Sequence, residues 1–157
     1  MADPTSLQAM DSLRHDLLAS GIATSPSEII GCSDSEIDQV VSTADGFPIP
    51  DAYIAFLKAF GRKAGNLFRG TDLFFPGLLD AKDSAVDIAS GPDETLTLDN
   101  RFFFGHHQGY KVYFFEAGSE AVFGYQEGHP HDQRLANSLA DWLRHALTVQ
   151  KELAGKN

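Results

Sequence analysis

Six histidines, one cysteine and a spaced set of aspartates are the residues whose types could do chemistry in this sequence. His106-His107 and His129-Pro130-His131 flank a segment rich in aromatic residues. Neutral imidazoles bind zinc, nickel or copper, so the two groups would form a metal site if the fold brought them together. Adjacent residues of a strand point to opposite faces, which leaves at most one ligand from the pair His106 and His107. Pro130 marks an exposed loop. The plainer expectation is a turn-stabilising or surface role, and no metal ligand is assigned. Cys32 stands just before a helix start, where the helix dipole lowers a thiol pKa. Nothing in the sequence supplies it with a histidine or an oxyanion hole, so an incidental small residue is the expectation. Asp80, Asp83 and Asp87 fall at helical spacing on one face. They suit a hard cation, but a solvated helix face is the commoner meaning of that pattern.

No motif of established mechanism accompanies these residues. The sequence has no GxSxG elbow, no GxxxxGK[ST] loop, no HExxH pair and no EF-hand loop. No residue is therefore assigned a catalytic or cofactor-binding role, and the chain reads as a protein without enzymatic activity. The alternative kept open is a small-molecule or metal-dependent enzyme built on His106, His107, His129 and His131.

The elements that must position these side chains can be read from periodicity. Leu7, Met10, Leu13, Leu17 and Leu18 predict a helix over 6–19, stopped by Gly21 in the left-handed conformation. A polar connector with Pro26 follows. Ser33-Asp34-Ser35-Glu36 is a capping box, and Ile37, Val40, Val41 and Ala44 form the buried stripe of the next helix, which Gly46 ends. Phe47-Pro48-Ile49-Pro50 is extended, because residues before proline leave the α region. Pro50 opens a third helix with Tyr53, Phe56, Leu57 and Phe60 inward and Gly61 as its stop. Leu73-Phe74-Phe75 reads as a short strand, and 80–89 as a helix with Asp80 as its cap. Gly91-Pro92-Asp93 is a turn. Residues 101–104, 110–116 and 121–126 read as an antiparallel meander. Nine of the seventeen aromatic residues lie between Phe102 and Tyr125, so this sheet carries much of the core. Both its faces are apolar, which calls for cover on one face and partial cover on the other. A last helix starts at Asn137-Ser138, with Leu139, Trp142, Leu143, Ala146, Leu147 and Leu153 inward. Helices, a meander and a closing helix make an α+β domain with a central, mostly antiparallel sheet. Residues 1–27 form an N-terminal helix and connector, and 28–153 the α+β domain proper.

The 157 residues carry twelve Lys and Arg against twenty-two Asp and Glu, a net charge of −10. A surface this negative repels phosphate backbones and anionic lipid heads, so neither nucleic acid nor membrane is an expected partner. One cysteine allows no internal disulfide. The start of the sequence, Met1-Ala2-Asp3-Pro4-Thr5, shows no basic and apolar leader, and with a free thiol this points to the cytoplasm. The charge is segregated. Seven acids and no Lys or Arg lie between His15 and Leu57, and four acids and no base between Val112 and Gln133, whereas Lys58, Arg62, Lys63 and Arg69 have no acid among them. Such acidity either serves solubility or makes a docking face for a basic protein. Asp80, Asp83, Asp87, Glu116, Glu120 and Glu127 are the candidate contact residues for that partner, chosen for expected exposure.

A family resemblance rests on these residues. Ser33-Asp34-Ser35-Glu36-Ile37 followed by Phe47-Pro48-Ile49-Pro50-Asp51-Ala52-Tyr53-Ile54-Ala55-Phe56-Leu57 resembles the acidic helix and proline-started helix that open the SUKH superfamily. His107-Gln108-Gly109-Tyr110 with Phe114-Phe115 is similar to a strand motif of one bacterial branch. Val122 with Tyr125-Gln126-Glu127-Gly128 is similar to the strand that follows it. Ser138-Leu139-Ala140-Asp141-Trp142-Leu143 resembles the closing helix. The motifs run in order over 28–150. That superfamily includes fungal cell-wall-synthesis regulators and many bacterial immunity proteins. The resemblance implies an α+β fold, no catalysis and a protein partner, often a polymorphic toxin such as a nuclease, neutralised inside the producing cell. Nuclease domains must bind phosphate and tend to be basic, which suits an acidic chain. A scaffold or regulator that binds an endogenous protein shares the same fold expectation.

Overall fold

The computed structural model describes residues 4–155; Met1, Ala2 and Asp3, on which part of the leader reading rests, lie outside the described residues. The fold is α+β, as the order of elements implied. Helix α1, Pro4–Ala19, ends where Gly21 adopts φ 80°. Its inward residues are Met10, Leu13 and Leu17, while Leu7 lies exposed in the first turns, ahead of the core. After a single 3-10 turn at Pro26–Glu28 come strand β1, Ile29–Ile30, and helix α2, Asp34–Ser42. Both halves of the capping box are made: Glu36 N–H donates to Ser33 Oγ at 3.2 Å, and Ser33 N–H donates to Glu36 Oε1 at 2.9 Å. Such a box satisfies two of the backbone donors that a helix start leaves without partners. Helix α2 packs chiefly on α3, so its buried stripe is narrow. Ile37 and Val40 are covered, but Val41, expected inward, is exposed.

Helix α3, Asp51–Phe60, has Pro50 in extended conformation as its cap and buries Tyr53, Phe56, Leu57 and Phe60 as expected. Gly61 caps it with φ −65°, so glycine is not needed there for a left-handed turn. It is needed for space, since a Cβ would stand 2.7 Å from both Cys32 Sγ and the Leu57 carbonyl oxygen. Strand β2, Lys63–Ala64, pairs antiparallel with β1 in a small sheet with no counterpart in the sequence reading. Leu73-Phe74-Phe75 is not a strand. Asp72 makes an isolated bridge to a later strand, and Leu73 is buried by tertiary packing. A 3-10 turn at Gly77–Asp80 leads into helix α4, Ala81–Ala89. Asp80 is itself in the helical region and makes no side-chain cap, which corrects its expected role.

The main sheet is the meander β3, Arg101–His107; β4, Lys111–Glu116; β5, Val122–Gln126; and β6, Gln133–Ala136, in that order and antiparallel throughout. Helix α5, Leu139–Gly155, closes the chain, with Ser138 Oγ accepting from Asp141 N–H. Leu139, Trp142, Leu143 and Leu147 are buried, but Leu153 is 61% exposed because the last turns run past the core.

Alternation along the strands builds two cores. Phe102, Phe104, Tyr113, Phe115 and Val122 join the main core with residues of α1, α2, α3 and α5. Phe103, Val112, Phe114 and Tyr125 face the other way, against Ala81, Ala85 and Ile88 of α4 and Leu96. The small residues of α4 let it lie close on the sheet. Each such large apolar side chain contributes about 1.5–3 kcal/mol by leaving water. The same main core includes Met10, Leu13 and Leu17, so α1 is an integral layer of the domain. A bulge in β3 sets Phe104 and Gly105 together opposite Tyr113 and shifts the later residues by one. His106 then falls opposite Val112, on the α4 face, and His107 opposite Lys111.

Candidate functional site

His106 and His107 are engaged in contacts that tie segments of the fold together. His106 Nε2 donates to the Gly77 carbonyl at 3.2 Å and lies 3.5 Å from Asp72 Oδ2, while its buried Nδ1 has no partner among the described residues. Backbone bonds in both directions between Asp72 and His106 tie the same two segments. His107 Nδ1 lies 2.8 Å from Thr71 Oγ1, and its ring meets Tyr110 edge-on. His129 and His131 belong to a turn anchored elsewhere, where Thr95 Oγ1 donates to the Pro130 carbonyl and Gly128 N–H donates to Glu94. Tyr125 Oη donates to the same Glu94 carboxylate at 2.5 Å. His106 and His107 thus end β3, whereas His129 and His131 lie in the turn between β5 and β6, and the bonds that anchor the two segments are different. Among the described residues, no group of three or more His, Cys, Asp or Glu side chains is placed to hold a metal.

The thiol of Cys32 shifts opposite to the lowering that a helix dipole alone would give. Burial, and then the nearby Glu36 carboxylate, push its thiol up to about 11, against a smaller opposing effect of Arg62. Half-burial behind Gly61 outweighs the helix dipole. At that value the thiol is held in its protonated form at neutral pH.

The six acids chosen as contact residues do not share one surface. Asp83 and Asp87 are exposed on α4, and Asp80 just precedes it. Glu116 ends β4, whereas Glu127 follows Gln126, which pairs with Lys111 at the start of β4. The length of β4, roughly 3.3 Å per residue, therefore separates those two. Glu120 lines a separate hollow beside the first turns of α1 and α5. Glu116 is also engaged, 3.8 Å from Arg101.

The fold gathers a different set of acids. Asp34, Asp38 and Val41 recur at three- and four-residue steps along α2, Asp45 lies in the turn that follows it, and all four are exposed. Among the described residues, none of these aspartates pairs with a Lys or Arg. The bases that pair with carboxylates are Arg62 with Glu36, Arg101 with Glu116 and Asp132, and Arg144 with Asp16. The stripe runs from the capped start of α2 to a cleft of about 430 Å³. One wall of the cleft is the 43–48 connection, the other is the 98–103 approach to β3, and Leu79 and Lys82 close it. Asp45 and Asn100 hold the two walls in left-handed turns, with φ 50° and 59°, which Asp and Asn adopt more readily than other side chains. The Asn100 carbonyl accepts from Ala117 N–H at 3.0 Å, which fixes that wall to the end of β4. Aromatic rings make the floor: Phe47 packs on Phe102 with centroids 6.1 Å apart.

Comparison of this chain with protein-family models, curated proteins and solved structures finds no match. The site is therefore characterised by its own chemistry. Among the described residues it holds no metal-ligand set. It offers carboxylates, the partly exposed Phe47 and a cleft, the materials of recognition. The signal for the acidic stripe was present in the base-free stretch from His15 to Leu57. The cleft had none, because its walls come from three distant segments. Among the described residues, no helix is long and apolar enough to cross a membrane.

Proposed function

We propose that this chain is a non-catalytic protein-binding module of SUKH type that acts in the cytoplasm as an immunity protein. Its partner is a basic toxin domain, such as a nuclease, which it neutralises by covering the functional surface. The observation that carries this reading is the stripe Asp34, Asp38 and Asp45, exposed and without Lys or Arg ion pairs among the described residues. Uncompensated surface carboxylates accelerate encounter with a positively charged partner and disfavour nucleic acid itself. The ordered SUKH-like motifs support it as well. Their residues make the frame: Ser33 and Glu36 cap α2, Pro50 starts α3, and Tyr53, Phe56 and Trp142 are buried.

Protection tests the reading. A basic toxin domain encoded beside this chain should kill a host when expressed alone and be tolerated when the chain is co-expressed, with the two purifying as one complex. Absence of both protection and a complex with any flanking product would overturn it.

A further inference from the structure

We infer that the cleft between the 43–48 connection and the start of β3 is the seat for one basic side chain, arginine or lysine, of the protein partner. This deepens the protein-binding reading and rests on it. At about 430 Å³ the cleft falls in the range of sites that enclose small ligands, roughly 300–1,000 Å³. Of its lining aromatics Phe47 is partly exposed, and an aromatic face attracts cations. The protein uses the same device on itself nearby. Lys82 Nζ lies 5.7 Å from the Phe103 centroid, and the Arg101 guanidinium 4.3 Å from that of Phe114.

Charge decides the sign of the occupant. Arg101 lines the cleft but is already neutralised, 2.6 Å from Asp132 and 3.8 Å from Glu116. Lys82 is the one remaining base of the lining. Against it stand Asp45 and Asp99, one on each wall, exposed and without an ion pair among the described residues. Two free carboxylates beside Phe47 suit a guanidinium or ammonium, with the exposed Lys82 as the like charge it must push aside. The stripe from Asp34 to Asp45 leads a basic partner to this mouth.

The test is a nitrogen-15 NMR titration of the whole chain with N-acetyl-arginine amide, with the glutamine and glutamate analogues as controls. Arginine should shift the amides of 43–48 and 98–103 in preference to those around Asp83 and Glu127. Asp45→Asn with Asp99→Asn should weaken binding by about fivefold, the effect of two exposed ion pairs. Lys82→Ala should strengthen it. Both variants change exposed side chains, so unchanged melting curves will show that the fold is kept. Arginine shifts spread evenly over all exposed acids, or cleft shifts produced by the glutamate analogue, would overturn the inference. So would arginine binding indifferent to the double substitution. If the double variant still protects fully against the toxin, the cleft assignment fails while the immunity reading stands. If no toxin is bound at all, the immunity reading fails first.

Discussion

The Tyr53 ring meets Phe102 edge-on, centroids 5.5 Å apart at 69°, and the Tyr53 hydroxyl reaches no hydrogen-bond partner among the described residues. Phe56, Phe104 and Phe115 surround the same ring. The aromatic body holds α3 on the sheet, and the buried hydroxyl gains nothing there. Tyr53→Phe should therefore leave stability within about 0.5 kcal/mol or raise it, because a lone buried hydroxyl carries a desolvation cost. Tyr53→Ala should cost about 3–5 kcal/mol through the cavity it opens. Urea denaturation of the two variants checks both.

The capping box makes a pH-dependent contribution. Hydrogen bonds from Arg62 and from the Ser33 backbone hold the Glu36 carboxyl at about 2 in place of 4.5. A carboxyl whose pKa is depressed by folding stabilises the protein above its ordinary value. That contribution is lost as pH falls from about 4.5 towards 2. The advantage of the wild type over Glu36→Gln in melting temperature should accordingly be full near neutrality and shrink through that window. Ser33→Ala should cost about 1 kcal/mol at neutral pH. An advantage that grows on acidification would contradict the assignment.

Cys32 should be a slow thiol. With its pKa pushed up to about 11, its thiolate fraction near pH 8 is roughly two orders of magnitude below that of a free cysteine. Iodoacetamide labelling of the folded chain should be correspondingly slow and still rising above pH 10. Labelling at the free-cysteine rate would show that the thiol is neither buried nor beside Glu36.

Two glycines separate space from backbone conformation. A Cβ on Gly31 would stand 1.9 Å from the Lys58 carbonyl oxygen, which only backbone movement can relieve. Gly118 has φ 81° with open space around it. Gly31→Ala should destabilise by about 3 kcal/mol, at the upper end of overpacking costs, and Gly118→Ala by about 1 kcal/mol. Thermal unfolding of the pair gives the order, and equal losses would contradict it.

Local signals made the frame readable and left the cleft unreadable. The Ser33 and Glu36 box, the Pro50 start of α3 and the aromatic strands around Phe103 and Phe114 all act within a few residues of sequence. Strand β6, Gln133–Ala136, is a polar edge strand defined by pairing with Val122, Phe123 and Gly124, and nothing local announces it. Strands β1 and β2 are two residues each and exist through their mutual pairing. Leu73 has the composition of a strand, yet its neighbours Asp72 and Gly77 are bound by His106. The bulge at Phe104 is equally invisible locally, and it is what turns His106 towards α4. The contact acids first chosen from α4 and β4 were exposed but scattered. The acids of α2 needed the three-dimensional position of Asp45 and Asp99 on the two walls of one cleft to become a site.

Calorimetric titration of the chain with the proposed partner, a basic toxin domain inactivated by substitution, at low and high salt tests the electrostatic docking most directly. A one-to-one complex should weaken as salt rises, since exposed charges are screened beyond about 10 Å at 0.1 M. It should also weaken by about tenfold when Asp34, Asp38 and Asp45 are all changed to Asn, the sum of three exposed ion pairs. A complex of unchanged affinity across salt and across that triple substitution would show that the acidic stripe does not meet the partner.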